Sequence, residues 1–263
     1  MYLNQREKLL FISTYTPRYD QAAGDLRLFS ILKILSTSYD IVYLASKEHP
    51  DPNEEARYRS SLQELGIKVS VGELGLVNLF RKNKFAAAII EFYYNAMHAL
   101  PRIKMLQPAC PVIIDTVDVH YLRFYLKYQI TRDMNDLQYA EKTKRDELNV
   151  YKKADVVITV TDEDAGVLLN DCPGLFLRTV SNIHHLVPSN CAQDRDGIVF
   201  VGGFSHDPNV DAVLYFCKDI FPLIKKVVPN VKFTIVGSNP PDEIRVLSSD
   251  SIFVTGYLPS ITP

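Results

Sequence analysis

The chain has 263 residues, 47% of them hydrophobic and 23% charged, so it can bury a substantial core and is neither disordered nor fibrous. At ~100 to 200 residues per domain it holds one large domain or two modest ones. Its 29 basic and 31 acidic side chains leave a formal charge of -2, which gives no general attraction to nucleic acid, and no apolar run approaches the ~20 residues of a membrane span.

The opening, Met1 to Phe11, carries Arg6, Glu7 and Lys8 ahead of a short apolar stretch and reads as a strand, not a signal peptide. Leu9 to Ile12 is continuously apolar and runs into the polar stretch Ser13 to Gly24, the pattern of a strand covered by helices on both faces. Helical spacing follows through Leu28, Leu32 and Leu35. Ile41 to Ala45 then reads as strand, Asn53 to Leu65 as helix, Ile67 to Val71 as strand, and Ala86 to Ile90 as an apolar run before a helix over Tyr93 to Leu106. Pro111 to Asp115 is strand-like, a long charged helical region is expected over Tyr121 to Lys153, and Ala154 to Val160 is again a strand. Thr161 is placed to cap the next helix, whose first turn holds Asp162, Glu163 and Asp164.

From His184 to Gly197 the periodicity fails, and Pro188 to Asp196 is polar enough for a linker. Beyond it, Ile198 to Val201 reads as strand, Asp211 to Val228 as helix, Val231 to Val236 as strand, Asp242 to Leu247 as a short helix and Ser251 to Thr255 as strand. The predicted fold class is therefore α/β: a complete, doubly wound Rossmann-like domain over residues 1–190, and the first part of a second Rossmann-like domain over residues 191–263. Three strands fall short of the five or six such a domain normally contains, so the second is expected to be incomplete.

Cys110, Cys172, Cys191 and Cys217 are widely spaced and form no ligand set with a histidine. Reduced thiols, no metal site and a cytoplasmic location are the expectation. Residues 81–153 carry a net charge of +5 and residues 154–263 one of -6. The basic middle reads either as solvated helix faces or as a surface for peripheral contact with the inner face of a membrane.

Ligands of an open parallel sheet bind beyond the carboxyl ends of its strands, and three loops qualify. Gly24 permits close backbone approach at the start of the first helix, beside Asp25 and Arg27, unless Gly24 and Asp25 merely cap that helix. Asp118 and His120 leave the Pro111 to Asp115 strand; they would bind sugar hydroxyls or move a proton, or Asp118 would cap a helix with His120 packed beside it. Gly202 and Gly203 allow a tight turn under a phosphate, with helix N–H groups near Asn209 to Asp211, or form a plain strand-to-helix turn. Gly237 and Gly256 end the next two strands.

The block Ile198, Gly202, Gly203, His206, Pro208, Asn209, Asp211 to Val213 and Phe221 to Leu223 closely resembles the start of the C-terminal domain of family 4 glycosyltransferases. Phe233 to Pro241 and Val254 to Tyr257 extend the resemblance, as do Asp20 to Arg27, Asp115 to Arg123 and Ala154 to Glu163 upstream. The resemblance implies a GT-B fold, two Rossmann-like domains facing each other across a cleft, and a metal-independent enzyme. It implies retaining transfer of a sugar from a nucleotide-sugar donor to a glycan or lipid-linked acceptor, as in bacterial cell-surface polysaccharide or glycoconjugate synthesis. No cofactor is implied beyond the donor substrate. His120 and Asp118 would be catalytic, reaching the transferring sugar. Gly24, Asp25 and Arg27 would lie near donor phosphates or acceptor, Gly202, Gly203, Phe204 and Asn209 around the diphosphate, and Gly237, Gly256 and Tyr257 near the nucleoside.

Where many members carry an Arg and a Lys after the first C-terminal strand, this chain has Gly203, Phe204, Ser205, His206 and Asn209. The family's EX7E-like segment lies further along than Pro263, so weak or absent transfer by these residues alone is expected. A non-catalytic nucleotide-sugar or carbohydrate binding module, and a nucleotide-sugar epimerase of the same overall fold, are the alternatives.

Overall fold

The computed structural model describes residues 6–72, 75–184 and 196–258. The chain divides into two compact units, Met1–His184 and His185–Pro263. The expected boundary at residue 190 and Cys191 lie outside the described residues. Cys110, Cys172 and Cys217 are free thiols.

The first unit alternates strand and helix: β1 (Lys8–Ser13), α1 (Ala23–Leu35), β2 (Asp40–Ala45), α2 (Pro52–Glu64), β3 (Lys68–Val71), α3 (Gly75–Lys82), β4 (Ala87–Glu91) and α4 (Tyr93–Leu106). It continues with β5 (Val112–Asp115), α5 (His120–Thr131), α6 (Met134–Tyr151), β6 (Val156–Thr159), α7 (Asp162–Asp171) and β7 (Leu177–Thr179). The strands form one parallel sheet in the order β3-β2-β1-β4-β5-β6-β7. The chain lays β2 and β3 on one side of β1 and then returns to place β4 on the other. The topological switch point, where doubly wound sheets bind ligands, therefore lies between β1 and β4.

Strand β1 shows why the sheet is covered on both faces. Leu10 and Ile12 pack with Leu76, Ala96, Leu100 and Ile103 on one side, while Leu9 and Phe11 pack with Leu28, Leu32 and Leu62 on the other. All four β1 side chains are at most 8% exposed, and burying each contributes ~1.5 to 3 kcal/mol before the entropy of ordering is subtracted. The alternation of a strand thus divides one apolar run between two cores.

The second unit holds β8 (Ile198–Val201), α8 (Asp207–Tyr215), a π-helical segment (Phe216–Ile220), α9 (Phe221–Val227), β9 (Phe233–Val236), α10 (Asp242–Arg245) and β10 (Ile252–Gly256). Its described strands form a parallel sheet in the order β10-β9-β8. Val213, Phe221, Phe233, Ile235 and Ile244 make its own core.

The structure corrects two helix expectations. The helical region Tyr121 to Lys153 is divided into two helices, α5 and α6, because Arg132 takes a left-handed conformation (φ 56°) and the Asp133 side chain caps α6 by accepting from the Asn135 amide. The helix expected from Asp211 begins at Asp207 and widens through Phe216–Ile220 just before Pro222. Proline has no N–H to give and its ring crowds the carbonyl four residues earlier, here that of Lys218, which a π-turn relieves. Thr161 caps α7 as expected, accepting from the Asp164 amide at 3.1 Å.

Candidate functional site

The switch point of the first unit is built from the ends of β1 and β4. Ser13 ends β1 and Glu91 ends β4, and the Ser13 hydroxyl donates to Glu91 Oε2 at 2.5 Å. Asn95, one turn into α4, donates from Nδ2 to the Glu91 carbonyl at 2.8 Å and to Thr14 Oγ1 at 3.1 Å, tying the β1 loop to α4. In the next strand Asp115 is the register partner of Glu91. Two carboxyls thus sit side by side, each 3% exposed. Burial, and then the neighbouring Asp115 charge, push Glu91 up to about 8, so at neutral pH it is largely protonated. Burial also raises Asp115, opposed by the guanidinium of Arg27.

Arg27 is fully buried. Its Nη1 donates to Asp115 Oδ2 at 2.6 Å and its Nε to the Val180 carbonyl at 3.0 Å, while Nη2 has no partner among the described residues. The guanidinium therefore ties α1 to β5 and to the chain after β7 from beneath the site. Asp25 is likewise engaged, accepting from the Arg18 amide at 2.9 Å, and burial raises its carboxyl. It does not cap α1: the N-cap residue is Ala22, and no side chain caps that end. Gly24 faces the loop after β5, and a Cβ there would meet Val117 Cγ1 at 3.3 Å. Val117 has φ 58°, a strained conformation for a β-branched residue.

Asp118 and His120 share one turn. The helix start they flank is capped by neither: both oxygens of Glu147, a fully buried residue of α6, accept from it, Oε1 from the His120 amide at 3.1 Å and Oε2 from the Tyr121 amide at 3.2 Å. That overturns the reading of Asp118 as the cap. The Asp118 carboxylate instead pairs with Arg123 at 3.0 Å. His120 Nδ1 faces two acceptors, the Asp118 carbonyl at 3.0 Å and Glu147 Oε1 at 3.2 Å. Nδ1 therefore donates, which leaves Nε2 as the acceptor nitrogen of the neutral ring. The rings of Phe92, Tyr93 and Tyr94 surround the imidazole, with centroids 5.8, 5.2 and 6.0 Å away.

In the second unit the strand ends converge on glycine. Gly202 donates its amide to the Val236 carbonyl, Phe204 to Ser238, and Gly237 to Gly256, each at 3.0 Å. A Cβ on Gly237 would lie 1.9 Å from the Gly202 carbonyl oxygen, and one on Gly202 would lie 2.8 Å from Asn209 Nδ2. Only glycine lets these two backbones meet. Asn209 holds the turn closed by donating from Nδ2 to the Gly203 carbonyl at 2.9 Å. Gly203 lines the turn with room beyond it, since a Cβ there would meet only Ser238 Oγ, at 3.5 Å. Helix α8 begins just past this turn with no side-chain cap; Pro208 supplies no N–H and the Asn209 amide donates to the His206 carbonyl at 2.9 Å, which leaves the Asp207 amide as the one its first turn can offer. Gly256 has φ 74° with open space around it, and Tyr257 is 51% exposed. Phe204 is 5% exposed, packed against Phe200 in the core, and supports the turn from below.

Each unit therefore brings its own group of expected site residues together: Gly24 with the Asp118 to His120 turn in the first, and Gly202, Gly203, Asn209, Gly237 and Gly256 in the second. Glu91, Asn95 and Glu147 went unread in the sequence. Glu91 had a signal, a carboxylate closing the apolar run Ala86 to Ile90; Glu147 lies 27 residues from the amide it caps and had none. Among the described residues no group of three His, Cys, Asp or Glu could hold a metal ion, and no helix is long and apolar enough to cross a membrane.

The fold is an α/β fold of the GT-B type, with Rossmann-like units. It is shared with sucrose-phosphate synthase from Thermosynechococcus elongatus (TM-score 0.64, 14% identity, 96% of this chain and 71% of that one). It is also shared with Phytolacca americana UGT2 complexed with UDP-2fluoro-glucose and pterostilbene (TM-score 0.59, 14% identity, 96% and 72%) and with S. aureus MnaA in a UDP co-structure (TM-score 0.52, 13% identity, 96% and 69%). Residues 195–263 match the family model described as glycosyl transferases group 1. No curated protein matches the sequence.

Proposed function

We propose that the chain is a family 4 glycosyltransferase that moves a sugar from a nucleotide-sugar donor to a glycan or lipid-linked acceptor with retention of configuration and without a metal. The observation that carries this reading is the glycine ledge of the second unit, which falls inside the segment matching glycosyl transferases group 1. A nucleoside diphosphate leaving group develops negative charge, and backbone amides at an uncapped helix N-terminus stabilise it without a cation. In this reading residues 191–263 take the donor nucleotide: Gly202 and Gly203 under the diphosphate, with Asn209 and Phe204 holding their turn, and Gly237, Gly256 and Tyr257 toward the nucleoside.

Residues 1–190 take the acceptor side. His120 offers Nε2 to a sugar hydroxyl, and Asp118 acts beside it, while Gly24 lets the protein backbone approach the substrate closely and Asp25 and Arg27 hold that loop in place. The enzyme would act at the cytoplasmic face of a bacterial membrane in cell-surface polysaccharide or glycoconjugate synthesis. Exposed Leu126, Ile130 and Met134, with Lys127 and Arg132 beside them, favour peripheral contact there. Sedimentation with phosphatidylglycerol vesicles tests that contact; it should weaken at high salt, and no binding at low salt removes it.

Calorimetry with UDP, GDP and ADP tests the donor site. One nucleotide should bind, and Gly203→Asp, which places a carboxylate under the diphosphate, should weaken it by roughly tenfold or more. Binding of none of the three, or an unchanged affinity in the variant, contradicts the assignment. Binding without any turnover in a version that carries a complete second domain would favour a non-catalytic module, and epimerisation of a UDP-sugar without acceptor would favour an epimerase.

A further inference from the structure

The turn from β4 to α4 carries three consecutive aromatic residues, Phe92, Tyr93 and Tyr94, immediately beyond the switch point. Phe92 has φ 66°, a conformation that costs a bulky residue of order 1 to 3 kcal/mol and persists only when the surroundings enforce it. Its effect is geometric. The rings of Phe92 and Tyr94, two residues apart, lie parallel, 9° apart with centroids at 5.2 Å. Tyr94 remains 36% exposed although it is stacked on Phe92 and edged against His120.

We infer that Phe92 and Tyr94 form a stacking platform for a pyranose ring of the acceptor, with the hydrogen-bonding groups of Asp118, His120 and Arg123 at its edge. This deepens the assignment of the first unit to the acceptor and rests on it. A pyranose presents an apolar face of axial C–H groups and an equatorial rim of hydroxyls. It matches a fixed aromatic surface bordered by a carboxylate, a guanidinium and an imidazole nitrogen. The parallel pair matters because a ring backed by another ring cannot tilt away, so little ordering remains to be done on binding. A planar aromatic acceptor would also stack but would leave the polar rim without partners, which is costly.

Saturation-transfer NMR on the full chain, with cellobiose, maltose and methyl β-D-galactopyranoside as probes, tests this. At least one should receive saturation, strongest at the axial ring protons. Tyr94→Ala should lower affinity at least about threefold and Tyr94→Phe should retain it within about twofold, as expected for an aromatic contact. Phe92→Gly keeps the left-handed backbone at no steric cost and should lose binding while remaining as stable as the parent. The same samples are titrated with UDP, GDP and ADP. Nucleotide binding without transfer to any pyranose overturns the platform and leaves the donor assignment standing; pyranose binding without any nucleotide does the reverse. Unchanged pyranose affinity in both Tyr94→Ala and Phe92→Gly also overturns it.

Discussion

Glu147 reaches across from α6 and grips His120 twice, through the backbone amide at 3.1 Å and through Nδ1 at 3.2 Å. One buried carboxylate thereby caps α5 and sets the imidazole tautomer. Replacing it with alanine leaves buried N–H groups without a partner, a loss of ~1 to 3 kcal/mol for each group left unsatisfied. Urea unfolding of Glu147→Ala should show that loss, and nitrogen-resolved NMR of the imidazole should move from the Nδ1–H form toward a mixture. A variant as stable as the parent with an unaltered tautomer would mean that the cap is dispensable.

Glu91 gives the first unit a pH-dependent stability of defined sign. Its folded-state value of about 8 lies above the ordinary carboxyl range, so the folded protein holds a proton that the unfolded chain releases at lower pH. Stability is then fully present below the ordinary carboxyl value and is lost as pH rises through about 8. Asp25 and Asp115, also raised, act in the same direction. Glu91→Gln, neutral at every pH, should flatten the decline between pH 5 and 8 by an amount on the order of a few kcal/mol. Denaturant melts across that range in parent and variant decide it, and parallel curves would refute the assignment.

Arg27 and Asp115 form a buried pair at 2.6 Å. Arg27→Met strands the Asp115 carboxyl in a site where burial already raises its pKa, and should cost ~3 to 5 kcal/mol. Joint replacement, Arg27→Met with Asp115→Asn, should recover part of it. A double-mutant cycle on unfolding free energies measures the coupling, and additive losses would argue against a functional pair.

Two glycines of the second unit separate close contact from backbone conformation. Gly237→Ala drives a methyl onto the Gly202 carbonyl oxygen and cannot be absorbed by a flexible side chain, so the β8–β9 edge must move. Gly256→Ala meets open space and carries only the strain of φ 74°, about 1 kcal/mol. Thermal unfolding should show a far larger loss for Gly237→Ala; equal losses would contradict the packing described.

The strands were legible because a buried parallel strand is an apolar run and nothing else, as Leu9 to Ile12 and Ile41 to Ala45 are. The kink at Arg132 was not, since a single left-handed residue between two charged helical stretches leaves the hydrophobic spacing nearly continuous. Edge strand β7, with two of its three residues exposed, carries too few apolar positions to announce itself, and α3, though it holds Leu76, Val77, Leu79 and Phe80, spans only eight residues. The strand-end loops were found because the fold requires ligands there. The side chains that arm them, Glu91 through Ser13 and Glu147 through His120, pair over separations of 78 and 27 residues, which no local pattern encodes. Arg27, read as a ligand contact, is instead a buried tie to Asp115.

The proposed glycosyl transfer is tested most directly by incubating a version of the chain that carries a complete second Rossmann-like domain with a panel of nucleotide sugars and pyranose acceptors, following release of nucleoside diphosphate and the anomeric configuration of the product. The account expects one nucleotide sugar to be consumed with retention, and His120→Ala to slow that consumption by ~10-fold or more, the loss of one hydrogen bond to the transferring sugar. Consumption of no nucleotide sugar with any acceptor, or a His120→Ala variant as fast as the parent, would contradict it.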